Sequence, residues 1–109
     1  MRTNEHMCLC IHLARCFPDR SVREIEDFAS VVNRRARTAS RYAQTECNRE
    51  LTTREYRAEK ANNARLESLC AEWGISIRWG DPRGYTVSLM LPNGAHNSMG
   101  GAECGWGVA

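Results

Sequence analysis

Apolar residues recur every third or fourth position along the first half of the chain. Ile25, Ala29, Val32, Ala36, Ala39 and Ala43 fall on one stripe at about 100° per residue, with Phe28 and Cys47 flanking it. That period predicts an amphipathic helix. Ser21-Val22-Arg23-Glu24 just ahead has the form of a capping box, in which the Ser hydroxyl and the Glu carboxylate each satisfy a backbone N–H that the first turn would leave unpaired. Pro18-Asp19 breaks any earlier helix, so the element should run from Ser21 to about Cys47, roughly 26 residues or about 39 Å. Thr52-Thr53-Arg54-Glu55 is a second capping box and opens a helix that should end at Trp73, with Gly74 as its stop. Its apolar face is Leu66, Leu69, Cys70 and Trp73, with Ala58, Ala61 and Ala64 earlier. The link around Asn48 to Leu51 is short, and short links make antiparallel neighbours.

After Trp73 the period changes from 3.6 to 2. Ile75, Ile77 and Trp79 alternate with Ser76 and Arg78, and Tyr85, Val87, Leu89 and Leu91 alternate with Thr86, Ser88 and Met90. Between them Asp81, Pro82 and Gly84 suit a type I turn, and Pro92-Asn93-Gly94 is a second turn signal that returns Ala95 to Met99 as a short third strand. Residues Gly100 to Ala109 are expected along the surface, with the Trp106 indole tucked in. All eight glycines lie from Gly74 onward, which fits a helical first part and a turn-rich tail. The run from Met7 to Phe17 suits a strand or a helix, and its length favours a helix capped by Thr3, with Met7, Cys8, Ile11 and Arg15 on one side. The fold class is therefore α+β: a long antiparallel helical hairpin packed on a small antiparallel β-meander of two or three strands. One domain is expected over residues 1–109, divided into an apolar segment (1–20), the hairpin (21–73) and the strand-forming tail (74–109).

Composition narrows the functional classes only slightly. A chain of 109 residues, 42% hydrophobic and 26% charged, has the make-up of an ordinary folded protein. The net charge of +2 predicts no strong global attraction to nucleic acid, although fourteen of the fifteen basic residues are Arg, which suits bidentate contacts with phosphate or carboxylate. No apolar run reaches the roughly 18 residues of a membrane span. The segment Met7 to Ala14 lacks the basic flank of an export signal, so a cytoplasmic location in a bacterial cell is expected. On that expectation, Cys8, Cys10, Cys16, Cys47, Cys70 and Cys104 should be reduced thiols.

Three constellations could carry chemistry. His6, Cys8, Cys10, His12 and Cys16 lie within eleven residues, and a helix would align Cys8, His12 and Cys16 as candidate zinc ligands at i, i+4 and i+8. The spacing is not that of a known zinc module, so the weight falls on a buried cysteine-rich segment, with no cofactor expected. Second, no acid interrupts the chain between Asp27 and Glu46, where Arg34, Arg35, Arg37 and Arg41 lie. Arg34, Arg37 and Arg41 cluster opposite the apolar stripe as an exposed ridge able to track phosphates or meet an acidic protein surface. Third, Asp81 and Arg83 in the turn, with His96 and Asn97 beyond the next, could gather at one end of the sheet. No nucleophile–base pair or pair of carboxylates stands out, so a binding protein is expected rather than an enzyme.

The tail also resembles a known group. Trp79-Gly-Asp-Pro-Arg-Gly-Tyr85, then Leu91-Pro-Asn-Gly94, Asn97, Gly100-Gly101 and Gly105-Trp-Gly-Val108 resemble a family of small uncharacterised phage and prophage proteins, as does the Arg-rich helix leading to Glu46-Cys47-Asn48. The resemblance covers about two thirds of the chain, from Arg34 to Val108, and leaves the residues before Ser21 without a counterpart. It implies a phage-type accessory protein that binds a host macromolecule, such as an anti-CRISPR-like inhibitor of host defence acting on a protein or nucleoprotein complex. Arg34, Arg37, Arg41, Asp81 and Arg83 are the expected contact residues. A nucleic-acid-binding accessory protein using the Arg ridge is the first alternative, and a small Cys/His metal protein the second. The apolar N-terminal segment also offers a surface for a homodimer.

Overall fold

Ser21 and Glu24 close the predicted capping box: the Ser21 hydroxyl accepts from the Glu24 backbone N–H at 3.1 Å, and the Ser21 N–H donates to the Glu24 carboxylate at 3.1 Å. Thr52 and Glu55 repeat the exchange with the same two distances. These boxes open helices α2 (Val22–Thr45) and α3 (Thr53–Trp73). Gly74 ends α3 at φ 69°, a left-handed conformation in which a Cβ would be strained, and its N–H donates to the Cys70 carbonyl. The computed structural model describes residues 4–45, 52–80, 86–99 and 106–108. Thr3, Cys47, the link around Asn48 to Leu51 and the turn at Asp81 to Gly84 lie outside them.

A further helix, α1 (Asn4–Cys16), precedes the other two. It buries Leu9 and Leu13, with His6 in line one turn earlier, while Met7 and Ile11 are about half exposed at 52% and 51%. The segment is a helix, and the side shared by Met7, Cys8, Ile11 and Arg15 is the outer one: Met7, Ile11 and Arg15 are exposed and Cys8 is half-buried. The helical layer is a trio, with α1 and α3 both against α2. Residue pairs fix the antiparallel sense of α2 and α3: Val31 meets Asn62, and Arg35 meets Glu59. Near the C-terminal end of α3, Trp73 packs between Phe17 and Phe28 at centroid distances of 5.1 and 4.8 Å, with the Arg20 guanidinium over its ring. Ala58, Ala61 and Ala64 are exposed, contrary to expectation, and the inward face of α3 continues from Leu66 back to Asn62 and Glu59.

The strands form one antiparallel sheet in the order β1 (Ser76–Trp79), β2 (Val87–Met90), β3 (Ala95–Met99) and β4 (Trp106–Val108). Two or three strands were expected. The fourth arises because Trp106 and Gly107 pair with Asn97 and His96 instead of lying along the surface. The loop joining β2 to β3 is set by Gly94 at φ 85°, with the Gly94 N–H donating to the Leu91 carbonyl at 3.0 Å and the Leu91 N–H to the Ala95 carbonyl at 2.8 Å. One face of the sheet supplies Val87, Leu89, Leu91, Ala95 and Met99 to the core shared with Leu13, Phe28, Leu66 and Trp73 of the helices. At about 25 cal/mol per Å² of apolar surface removed from water, this seam is the main stabilising feature of the fold. The other face of the sheet is turned away from the helices.

Candidate functional site

Strand register places side chains on that second face in two rows. Ser76 lies beside Met90, Met90 beside His96, and His96 beside Gly107. Arg78 lies beside Ser88, and Ser88 beside Ser98. Because alternate residues of a strand point to opposite sides, these rows share the face away from the helices. Ser76, Arg78, Ser88, Met90 and Ser98 are exposed, and His96 is half-buried. Together they line a shallow concavity of about 480 Å³.

The chemistry of this concavity is cationic and hydroxylic. Arg78 makes no ion pair with any described residue, and no acidic side chain among the described residues lines the depression. The Ser88 and Ser98 hydroxyls hydrogen-bond each other across the strands at 3.1 Å. Met90, 44% exposed, adds a flexible apolar contact beside them. The Nδ1 atom of His96 is buried without a hydrogen-bond partner among the described residues. Anionic and polar groups of a partner would find donors here.

The expected gathering of His96 and Asn97 does not occur. They are consecutive on β3 and point to opposite faces: His96 joins the concavity, and Asn97 is 3% exposed on the helix side. Asp81 and Arg83, expected to join them and to contact a partner, lie outside the described residues. Of the Arg ridge, Arg34 and Arg37 are exposed on α2, neither paired with a described acid, while the Arg41 side chain lies outside the description. Arg35 parts from its neighbours and is buried, 1% exposed, with Nη1 3.5 Å from the Glu59 carboxylate and its guanidinium over the Trp79 ring at 5.4 Å.

The candidate zinc set Cys8, His12 and Cys16 is also corrected. A row at i, i+4 and i+8 spans about 12 Å along a helix, too long for one ion. His12 Nδ1 instead lies 3.3 Å from the Asn93 side-chain nitrogen in the β2–β3 loop. The donors that do converge among the described residues are His6, Cys10 and Glu26, whose ligand atoms all lie within 4.8 Å of one another. His6 and Cys10 are one turn apart on α1, and Glu26 reaches them from the first turns of α2. The sequence placed His6 and Cys10 among the possible donors but held no signal for Glu26, which depends on how α1 packs against α2.

No disulfide joins the described cysteines. No helix among the described residues is long and apolar enough to cross a membrane. No protein-family model, curated protein or solved structure matches the chain.

Proposed function

We propose that the protein acts by binding, as a small phage-type accessory protein that occupies an acidic surface of a host macromolecule in the manner of an anti-CRISPR-like inhibitor of host defence. The observation that carries the binding reading is the exposed sheet face, with Arg78, His96 and three serines around a depression that no described acid lines. Pairing within a four-stranded sheet gives such a face a fixed shape, and a preformed shape lowers the ordering cost of association. The phage setting comes from the resemblance of the tail. Full-length protein used as bait in host lysate should retain one stoichiometric partner. Arg78→Glu and Ser98→Tyr should each release it, while a substitution at exposed Ala61 should not. Clean recovery without a partner, or a partner indifferent to both face variants, overturns this reading.

A nucleic-acid reading is favoured by one separate observation: Arg34 and Arg37 are exposed on α2, with no described acid paired to either. It requires a gel shift that weakens steeply with salt and is lost in the double variant Arg34→Glu/Arg37→Glu. A shift that ignores both changes removes it.

A further inference from the structure

We infer that His6, Cys10 and Glu26 form a binding site for one zinc-class divalent cation that fastens α1 to α2. The inference is independent of the sheet-face reading, because it concerns the opposite layer of the fold.

The geometry comes first. The i, i+4 spacing on α1 brings the imidazole and the thiol to the same side of the helix. The Glu26 carboxylate approaches from the neighbouring helix, with Oε2 3.0 Å from His6 Nε2. All three donor atoms lie within 4.8 Å of one another. A tetrahedral zinc ion with bonds of about 2.0–2.3 Å separates its ligand atoms by about 3.3–3.8 Å. The His6–Glu26 separation is already close to that span, and the 4.8 Å limit on the other pairs leaves about 1 Å for side-chain adjustment to close.

The surroundings point the same way. His6 is 7% exposed and Glu26 25%, at a helix contact otherwise built from Leu9, Leu13, Ile25 and Ala29. Polar groups in such a seam carry a desolvation cost that a shared cation offsets. The donor types select the ion: a thiolate and an imidazole beside a single carboxylate suit zinc and do not suit magnesium or calcium, which prefer all-oxygen shells. On binding, the Cys10 thiol gives its proton to solvent and sulfur bonds the metal as thiolate, with no change of oxidation state. Three protein ligands leave the fourth position to water, which reaches the site from the partly exposed side of Glu26.

The alternative is a metal-free trio satisfied by its own hydrogen bonds, and the test separates the two. Full-length protein is purified without a histidine tag under a non-chelating phosphine reductant and titrated with Co²⁺ and then Zn²⁺. The site predicts one cobalt per chain, a thiolate-to-cobalt charge-transfer band and intense tetrahedral visible bands, all displaced by one equivalent of zinc. Zinc should also raise the melting temperature in a concentration-dependent way. Cys10→Ser and Glu26→Gln should weaken binding by more than the roughly 10–100-fold typical of losing an outer-shell group, while Cys8→Ser and Cys16→Ser leave it unchanged. Glu26→Gln is isosteric and can keep a hydrogen bond to His6, so its far-UV circular dichroism should match the parent and keep a loss of cobalt signal attributable to the site. A wild-type protein with no cobalt band overturns the inference. So does a band that survives both Cys10→Ser and Glu26→Gln, or one that disappears with Cys8→Ser or Cys16→Ser.

Discussion

Arg35 and Glu59 form a cross-helix ion pair at 3.5 Å, with only 1% and 11% of their side chains exposed. The guanidinium also lies over Trp79, whose indole N–H donates to Glu67 at 2.7 Å, so the pair links both long helices to the edge strand β1. Arg cannot shed its proton when its partner is lost, whereas a carboxyl can. Glu59→Leu should therefore destabilise the fold by about 3 kcal/mol, the scale for removing one partner of a buried ion pair. Arg35→Met should cost less, and the double variant should recover most of the loss because no ion remains to desolvate. Urea unfolding of the four proteins gives the coupling directly; simple additivity would mean that the two side chains do not act as a unit.

Burial, helped by the Glu67 charge one turn earlier, pushes the Cys70 thiol up to about 12 from an ordinary value of 9.0. The thiolate is the reactive form, so iodoacetamide at pH 8 should label half-buried Cys8 and Cys16 well before Cys70, with Cys70 reacting only as denaturant is added. The sign of the accompanying pH effect follows from linkage. Above about 9 the unfolded thiol loses its proton while the folded one keeps it, so this contribution to stability is complete below that value and declines as pH rises towards 12. Cys70→Ala should remove the alkaline decline assigned to this thiol. Early labelling of native Cys70 would show that the core opens locally.

The two capping boxes make a matched pair of tests. Thr52→Ala should cost about 1 kcal/mol, or a drop of about 4–8 °C in melting temperature for a domain of this size. At the other box, the Ser21 backbone N–H, then Arg20 and the Ser21 hydroxyl hold the Glu24 carboxyl below its usual value. A depressed carboxyl stabilises the fold above its unfolded pKa, and that contribution is lost as pH falls through the folded value. The melting temperature should thus fall more steeply on acidification in the parent than in Glu24→Gln. Parallel curves would mean that the carboxylate interactions are not kept in solution.

Much of the architecture was legible because it is local. Capping boxes, the Gly74 stop, the change of period after Trp73 and the Pro92-Asn93-Gly94 turn each depend on residues within a few positions of one another. What was missed depends on packing between elements. Arg35 follows Phe28 and Val31 by seven and four residues, so its place on the inward side of α2 was visible in the spacing. The ridge of Arg34, Arg37 and Arg41 accordingly leaves it out, but its acceptor, Glu59, can be identified only once the register between α2 and α3 is known. Alanine is apolar enough to read as core at 58, 61 and 64, yet the larger polar side chains at 59 and 62 occupy that side. The zinc-class site follows the same rule: two donors were in view, and the third comes from another helix. On β3, alternation alone was enough to place His96 and Asn97 on opposite faces.

Asn62 provides the sharpest test of whether polar groups in the helix seam stabilise or only specify. It is 7% exposed, its amide nitrogen lies 3.4 Å from the Val31 carbonyl, and its Oδ1 is buried with no hydrogen-bond partner among the described residues. The long donor contact is weak, while an orphaned buried acceptor costs about 1–3 kcal/mol. Asn62→Leu keeps the branched shape and heavy-atom count of the side chain, is larger at its two methyl ends, and removes the orphan. The Val31 carbonyl, in the middle of α2, keeps its intrahelical role as acceptor. The variant should thus be more stable than the parent by about 1 kcal/mol, seen as a rise of about 4–8 °C in melting temperature. Asn62→Ala should fall below it, because it removes the orphan but leaves a cavity beside Leu66 and Val31. If Asn62→Leu instead melts lower and loses the steep unfolding transition, the amide holds α2 and α3 in register, and the seam relies on a polar group to specify its alignment.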